Sequence, residues 1–160
     1  MKKGITALII GFLLSFNAEA AMVSFYVVET GLQSEGQVNP NQHSQRWEGA
    51  FLDVFFEAGH IVTNAPIQRL VSKPSGDILR AIYFDMQEAR DSGSDYVVIA
   101  RLDYGPDTGS PVEVSFYVFK VTPQEKVYEK KINGKTYGSS SDEVDDLKAI
   151  ARGLIPYIGE

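Results

Sequence analysis

Hydrophobic and polar positions follow two periods along this chain, and these predict five strands and three helices. Strands are expected where β-branched and aromatic residues dominate, and helices where apolar residues recur every three or four positions. The predicted strands are residues 23–30, 60–64, 95–104, 112–121 and 126–132. The predicted helices run from about 43 to 58, from 75 or 77 to about 92, and from 140 to a limit at Pro156. Ser140 and Glu143, three residues apart, predict a capping box at the start of the last helix.

The resulting order, β-α-β-α-β-β-β-α, predicts a single α/β (α+β) domain with a mixed sheet and helices packed on it. Helical crossovers make the first three strands parallel with right-handed connections, and short turns make the later strands antiparallel. Strands 23–30 and 95–104 are apolar on both faces, so they are expected inside the sheet.

Apolar residues without a place in the predicted core define a candidate interaction surface. In the first helix, Leu52 and Phe56 point away from the apolar arc. In the strand at 112–121, Tyr117 and Phe119 lie on the face opposite Phe116. This aromatic pair is either covered by a helix, with the carboxy-terminal helix as the expected cover, or presented to a partner.

Asp85 is a candidate buried polar residue. It falls within the apolar stripe of the second predicted helix, where a carboxylate requires a hydrogen-bond partner. Arg69 and Arg101 are the candidate partners, and a structural role is preferred to a catalytic one.

The sequence offers no catalytic, cofactor or metal residue to assign. Its only imidazoles are His43 and His60, and neither accompanies a Gly-x-Ser-x-Gly nucleophile motif. Two separated histidines make a weak zinc site, and a packing role is expected for His60. Asp103, Asp107 and Thr108 lack the spacing of a calcium loop, so a hairpin turn is preferred there.

The amino terminus has the pattern of a secretion signal. Lys2 and Lys3 precede an apolar stretch at 5–16, and Ala18-Glu19-Ala20 forms a small-x-small cleavage site. We therefore predict a signal peptide at 1–20, cleaved near Ala20, and a domain at 21–160, with a retained amino-terminal anchor as the alternative.

Composition narrows the compartment and the partners. Cleavage would remove two lysines and one glutamate, which changes the formal net charge from −6 to about −7. This acidic balance disfavours binding to nucleic acid or to an anionic membrane surface. The chain has no cysteine, which excludes disulfides, thiolate sites and a lipidated cysteine. A bacterial periplasmic or secreted protein without a stable membrane anchor fits these features.

The segment at 89–101, ARDSGSDYVVIAR, resembles a pattern of bacterial envelope proteins in which a helix ends at glycine and Ser-Asp-Tyr opens a strand. With the strand at 23–30 and the element order, it resembles the TolB amino-terminal domain and related curli-secretion and flagellar-assembly modules. The resemblance implies a scaffold that binds other envelope proteins and has no catalytic residues. The absence of a following propeller favours a stand-alone adaptor over a Tol component, and the absence of a lipobox argues against tethering to the outer membrane.

Three functions remain open from the sequence. The first is a non-catalytic envelope module for protein interaction or assembly, with an envelope protein as partner. The second is a periplasmic small-ligand carrier, which would need a deep pocket lined by Tyr and Phe. The third is a hydrolase, which would need a cleft that unites His60, Asp85 and a serine.

Overall fold

The first strand organises the sheet. In the computed structural model, which describes residues 20–32, 41–71, 76–81, 86–105 and 109–159, β1 spans Met22–Thr30. β4 (Tyr96–Tyr104) pairs with one side of β1, while β2 (Ile61–Asn64) and β3 (Gln68–Leu70) follow one another along the other side. All three pairings are parallel, as predicted for the strands joined by helical crossovers.

The remaining strands extend the sheet by antiparallel pairing. β5 (Pro111–Lys120) pairs with β4, and β6 (Glu125–Asn133) pairs with β5, which gives the order β2-β1-β4-β5-β6 with β3 beside β1. The predicted inner positions of β1 and β4 are confirmed. The chain is a single α+β domain with a mixed six-stranded sheet. The sequence predicts only five strands because β3 has three residues and shows no clear period.

Four helices cover the two faces of the sheet: α1 (Gln42–Glu57), α2 (Ile78–Ala81), α3 (Met86–Asp91) and α4 (Ser140–Arg152). Helices α1 and α4 pack on one face, where the Phe51 and Phe116 rings stack with centroids 5.7 Å apart. Helices α2 and α3 pack on the other face. Both α2 and α3 lie within the single helix predicted over 75 or 77–92, and residues 82–85 between them lie outside the described residues.

Capping residues fix the helix starts. At the start of α1, the Asn41 side chain accepts a hydrogen bond from the His43 amide at 2.9 Å. At its end, Gly59 follows the helix with a φ of +90°, a conformation that favours glycine. Ser139 caps α4 by accepting from the Asp142 amide at 3.1 Å. The predicted capping box of Ser140 and Glu143 is wrong by one residue, since the cap is Ser139 and the Glu143 carboxylate binds elsewhere.

Among the described residues, no helix is both long and apolar enough to cross a membrane. The predicted signal peptide lies almost wholly outside these residues, which begin at position 20.

Candidate functional site: an exposed sheet edge and a buried polar network

The edge of the sheet formed by β2 and β3 has little charge. Of its strand residues only Arg69 is ionic, and Ile61 is 55% exposed. Val62 packs on the core beneath α1, whereas Thr63 shares a 3.0 Å hydrogen bond with Ser24 on the opposite face. Alternation along β2 therefore places Ile61 on the same side as Thr63. The β2 backbone pairs with β1 alone among the described strands.

Helix α1 packs beside this edge and adds apolar surface to it. Phe56, in its last turn, is 75% exposed, and Leu52, one turn earlier, is partly buried against the core. We call Leu52, Phe56 and Ile61 together the edge surface: Leu52 and Phe56 flank the β2 edge on the α1 face of the sheet, and Ile61 flanks it on the opposite face. Large apolar side chains this exposed contribute little to the fold, and they are typical of contact sites for other proteins.

Acidic residues surround the edge surface. Glu48 accepts a hydrogen bond from the Asn64 side chain at 3.0 Å, and Glu57 is exposed beside Phe56. Asp53 pairs with Lys148 at 3.0 Å, and the hydrogen bond from this pair raises the pKa of Lys148. The charge around the surface is therefore suited to a basic partner.

Tyr117 and Phe119 are covered within the chain, each at 8% exposure. Their rings stack with centroids 6.4 Å apart and pack with Ile78, Leu79 and Met86. The predicted cover by the carboxy-terminal helix is wrong, since α2 and α3 lie on this face and α4 on the other. Of the four residues predicted for an interaction surface, only Phe56 is extensively exposed, while Leu52 contributes partly.

A polar network that contains two buried carboxylates occupies the opposite end of α1. Glu29, 1% exposed, accepts from Arg69 Nε at 2.7 Å through one oxygen and from the Asn41 amide at 2.7 Å through the other. These bonds satisfy a charge that would be costly to bury alone. They also tie β1 and β3 to the start of α1.

Glu143, likewise 1% exposed, joins the first turns of α1 and α4. Its Oε1 lies 2.5 Å from His43 Nδ1, and its Oε2 accepts from Arg46 at 2.6 Å. The other ring nitrogen of His43, Nε2, lies 3.3 Å from the Ser110 hydroxyl. The buried carboxylate is thus hydrogen-bonded through both oxygens and lies in the first turn of its own helix, so its burial is compensated by contacts with two other side chains.

Tyr104 completes the network from the sheet side. Its hydroxyl shares a 2.8 Å hydrogen bond with Ser44. Burial, opposed by this hydrogen bond and reinforced by the charges of Glu29 and Glu143, raises the pKa of Tyr104 well above its ordinary value. The phenol is therefore neutral at physiological pH.

His60 is 5% exposed at the start of β2, and its Nδ1 accepts a hydrogen bond from the Ala21 amide at 3.3 Å. Burial lowers the pKa of this imidazole. These features support the packing role expected from the sequence.

Asp85 and the turn residues Asp107 and Thr108 lie outside the described residues. Of the two arginines considered as partners for Asp85, Arg69 binds Glu29, and Arg101 donates to Ser115 at 3.0 Å. Within the ranges that the structure describes, no three His, Asp or Glu side chains are arranged to hold a metal ion.

Two clefts in the described part of the chain are lined mainly by small and polar residues. One of about 340 Å³ lies beside Ala21, Asp95, Tyr96 and Lys120, and another of about 420 Å³ lies beside Ser110, Pro111 and Lys135. Neither has the lining of Tyr and Phe that a small-ligand carrier would need.

The sequence analysis missed the proximity of Ser110, His43 and Glu143. Ser110 and His43 are 67 positions apart, and His43 and Glu143 are 100 apart. Only one local signal was available, an acidic residue in the first turn of a helix, and it was interpreted as capping.

Comparison with known proteins identifies a family. A family model described as "Uncharacterised protein" matches residues 23–139. The chain therefore belongs to that family. The curated proteins contain no match to this sequence.

Three solved structures of bacterial proteins are similar to this chain at low sequence identity. The PelC dodecamer from Paraburkholderia phytofirmans is 21% identical, with 88% of this chain and 89% of that chain covered and a TM-score of 0.49. TolB from Acinetobacter baumannii is 13% identical over 86% of this chain and 28% of that chain, with a TM-score of 0.45. The LpoB C-terminal domain from Salmonella enterica is 12% identical over 74% and 84%, with a TM-score of 0.42. TolB, whose family the sequence pattern resembles, is thus among the similar structures, but likenesses at these scores do not extend to function.

Proposed function

We propose that this protein is an exported envelope module that binds a partner protein at the edge surface. The observation that carries the proposal is the exposure of Phe56 and Ile61, at 75% and 55%, beside a sheet edge with a single charged strand residue. Binding there requires no catalytic group.

The partner is an extended segment with an apolar residue flanked by lysine or arginine. An extended segment can continue the sheet along β2, because backbone hydrogen bonds give affinity and alternate side chains give specificity. The basic flanks follow from Glu48 and Glu57 beside the edge surface and from the net charge of −6. Two copies of this acidic chain would instead repel each other at this site.

Export is proposed with cleavage near Ala20, into the periplasm or the medium. Solvent exposure falls across the bond between residues 20 and 21. Ala20 is exposed, whereas Ala21, at the start of the folded domain, is only 6% exposed. A cleavage there would remove the leader and leave the sheet complete. The mass of the exported protein tests this, with a start at Ala21 expected and an intact leader as the contrary result.

Site-specific photocrosslinking tests the binding surface. A photoreactive amino acid at position 56 should give a discrete adduct with a partner in the cell envelope. The same group at position 130, exposed on β6, is the matched control and should not. Ile61→Lys should abolish the adduct from position 56. Equal adducts from both positions, or an adduct insensitive to Ile61→Lys, would exclude the edge surface as the binding site.

A further inference from the structure

The His43 ring connects an accessible serine to a buried carboxylate. The Ser110 hydroxyl lies 3.3 Å from Nε2, and Nδ1 lies 2.5 Å from Glu143 Oε1. The carboxylate side chain is 2% exposed and the imidazole is 23% exposed. A serine, a base that can take its proton and a buried acid that orients the base are the components of a serine hydrolase triad, which is recognised by geometry and not by sequence order.

Ser110 also faces space that a substrate could occupy. It lines a cleft of about 420 Å³ together with Pro111, Val112, Gly134 and Lys135. Only glycine fits at position 134, because a Cβ there would lie 1.7 Å from the Pro111 carbonyl oxygen. The backbone at Gly134 therefore packs directly against Pro111 at this side of the cleft. The separation of 3.3 Å is within the range of unliganded enzymes, whose catalytic hydrogen bonds shorten when substrate binds.

We propose that Ser110 and His43 are catalytic residues for the hydrolysis of esters with small acyl groups, and that Glu143 is a positioning residue. Ser110 Oγ bonds to the acyl carbon while its proton passes to His43 Nε2, and the alcohol leaves with that proton. Water then attacks the acyl-serine, giving one proton to His43 and hydroxide to the acyl carbon. The acid is released, and the proton returns to Ser110.

The arrangement implies a slow enzyme. Arg46 holds the second oxygen of Glu143 at 2.6 Å, so this carboxylate is already balanced by a full positive charge. It therefore stabilises a protonated imidazole less than an unpaired carboxylate would. A small acyl group is expected because Pro111 and Val112 border the cleft and because its Lys135 is paired with Asp146 at 3.2 Å.

A fluorophosphonate probe tests the nucleophile on the full chain. Covalent labelling is expected at Ser110 by mass spectrometry, lost in Ser110→Ala and at least tenfold slower in His43→Gln. Ser141→Ala is the matched control, since Ser141 is an exposed serine in α4, and it should be labelled like the parent. No adduct at Ser110, or labelling that is unaffected by His43→Gln in a variant with a parental melting temperature, would overturn the proposal.

Glu143→Gln tests the positioning role. Its readout is the pH profile of labelling, which should differ from that of the parent because the variant removes the carboxylate charge that faces His43 Nδ1. An unchanged profile in a folded variant would contradict this role. Ser110→Ala should retain the photocrosslink from position 56, so failure of the hydrolytic site and failure of the edge surface are separate results.

Discussion

The two edges of the sheet differ in how they meet solvent. The β6 edge has charges of both signs on its strand, namely Glu125, Lys126, Glu129, Lys130 and Lys131. The edge formed by β2 and β3 has one charged strand residue, Arg69, and that residue is held by the buried Glu29. Charged side chains on an edge strand discourage pairing with other chains. The β6 edge is therefore protected by its charges, and the β2 edge lacks this kind of protection.

Protection at the β2 edge is of another kind. Pro66, which is exposed, lies between β2 and β3 and divides the edge into pieces of four and three residues. Short pieces interrupted by proline resist indiscriminate pairing, since proline has no amide to donate. The edge can thus accept a short segment while it resists the long pairing that leads to aggregation.

The largest expected difference between the two edges is the loss of stability when one ion pair at each edge is removed. Arg69→Ala leaves Glu29 buried at 1% exposure without its guanidinium, and we expect a loss of about 3–5 kcal/mol in the free energy of unfolding. Lys131→Ala on β6 removes a pair with Glu113 in which the lysine is 60% exposed, so it should cost at most about 1 kcal/mol. Urea unfolding of both variants measures the difference. Equal losses would show that Arg69 is no more structural than a surface lysine.

The inner strands and the directions of strand pairing could be predicted because they depend on local patterns. β1 and β4 are apolar on both faces, which marks inner strands, and the helical or tight connections decide which pairs are parallel. The side on which a helix packs depends on strand order, which no local pattern contains. Right-handed crossovers from β1 to β2 and from β3 back to β4 move in opposite directions across the sheet, so their helices lie on opposite faces. This is why α2 and α3, and not α4, cover Tyr117.

The candidate sites show the same limit. Phe56 could be predicted as exposed because its position departs from the apolar arc of one helix. Glu143 could not be placed, because the side chains that hold it, His43 and Arg46, come from a helix about a hundred residues earlier in the chain. An acidic residue in the first turn of a helix can either cap that helix or bind side chains from another element. Only the tertiary packing shows that Glu143 does the second.

Helix α1, beside the β2 edge, should become more stable when Gly49 is replaced by alanine. It is an exposed residue in the interior of α1, and no atom of the chain lies within 4 Å of a Cβ added there. Gly49→Ala should therefore raise the free energy of unfolding by about 0.5–1 kcal/mol through higher helix propensity. Thermal unfolding measures this gain. A loss of stability would mean that the residue makes a contact or bend that the helix requires.

Phe56 should contribute less to stability than any buried aromatic residue of α1. Because its side chain is 75% exposed, Phe56→Ser is expected to change the free energy of unfolding by less than about 0.5 kcal/mol. Phe55→Ala, at 0% exposure, is the matched comparison and should cost about 3–5 kcal/mol. Chemical denaturation of the two variants distinguishes a binding residue from a core residue. If Phe56→Ser is strongly destabilised, its exposed surface is needed for folding.

The smallest expected effect is a change in how stability depends on pH at the start of the β2 edge. Burial lowers the pKa of His60 in the folded chain below its value of 6.5 in the unfolded chain. Between these two values the unfolded chain binds more protons, so the contribution of His60 is present above pH 6.5 and is lost as the pH falls through the lowered pKa. His60→Asn can still accept from the Ala21 amide but does not titrate, so its stability should fall less steeply on acidification. Lys130→Ala on β6 should keep the parental slope, because it removes no group that titrates in this range. Unfolding free energies measured at a series of pH values decide the matter, and parallel curves for the parent and His60→Asn would show that the imidazole is not held neutral by the fold.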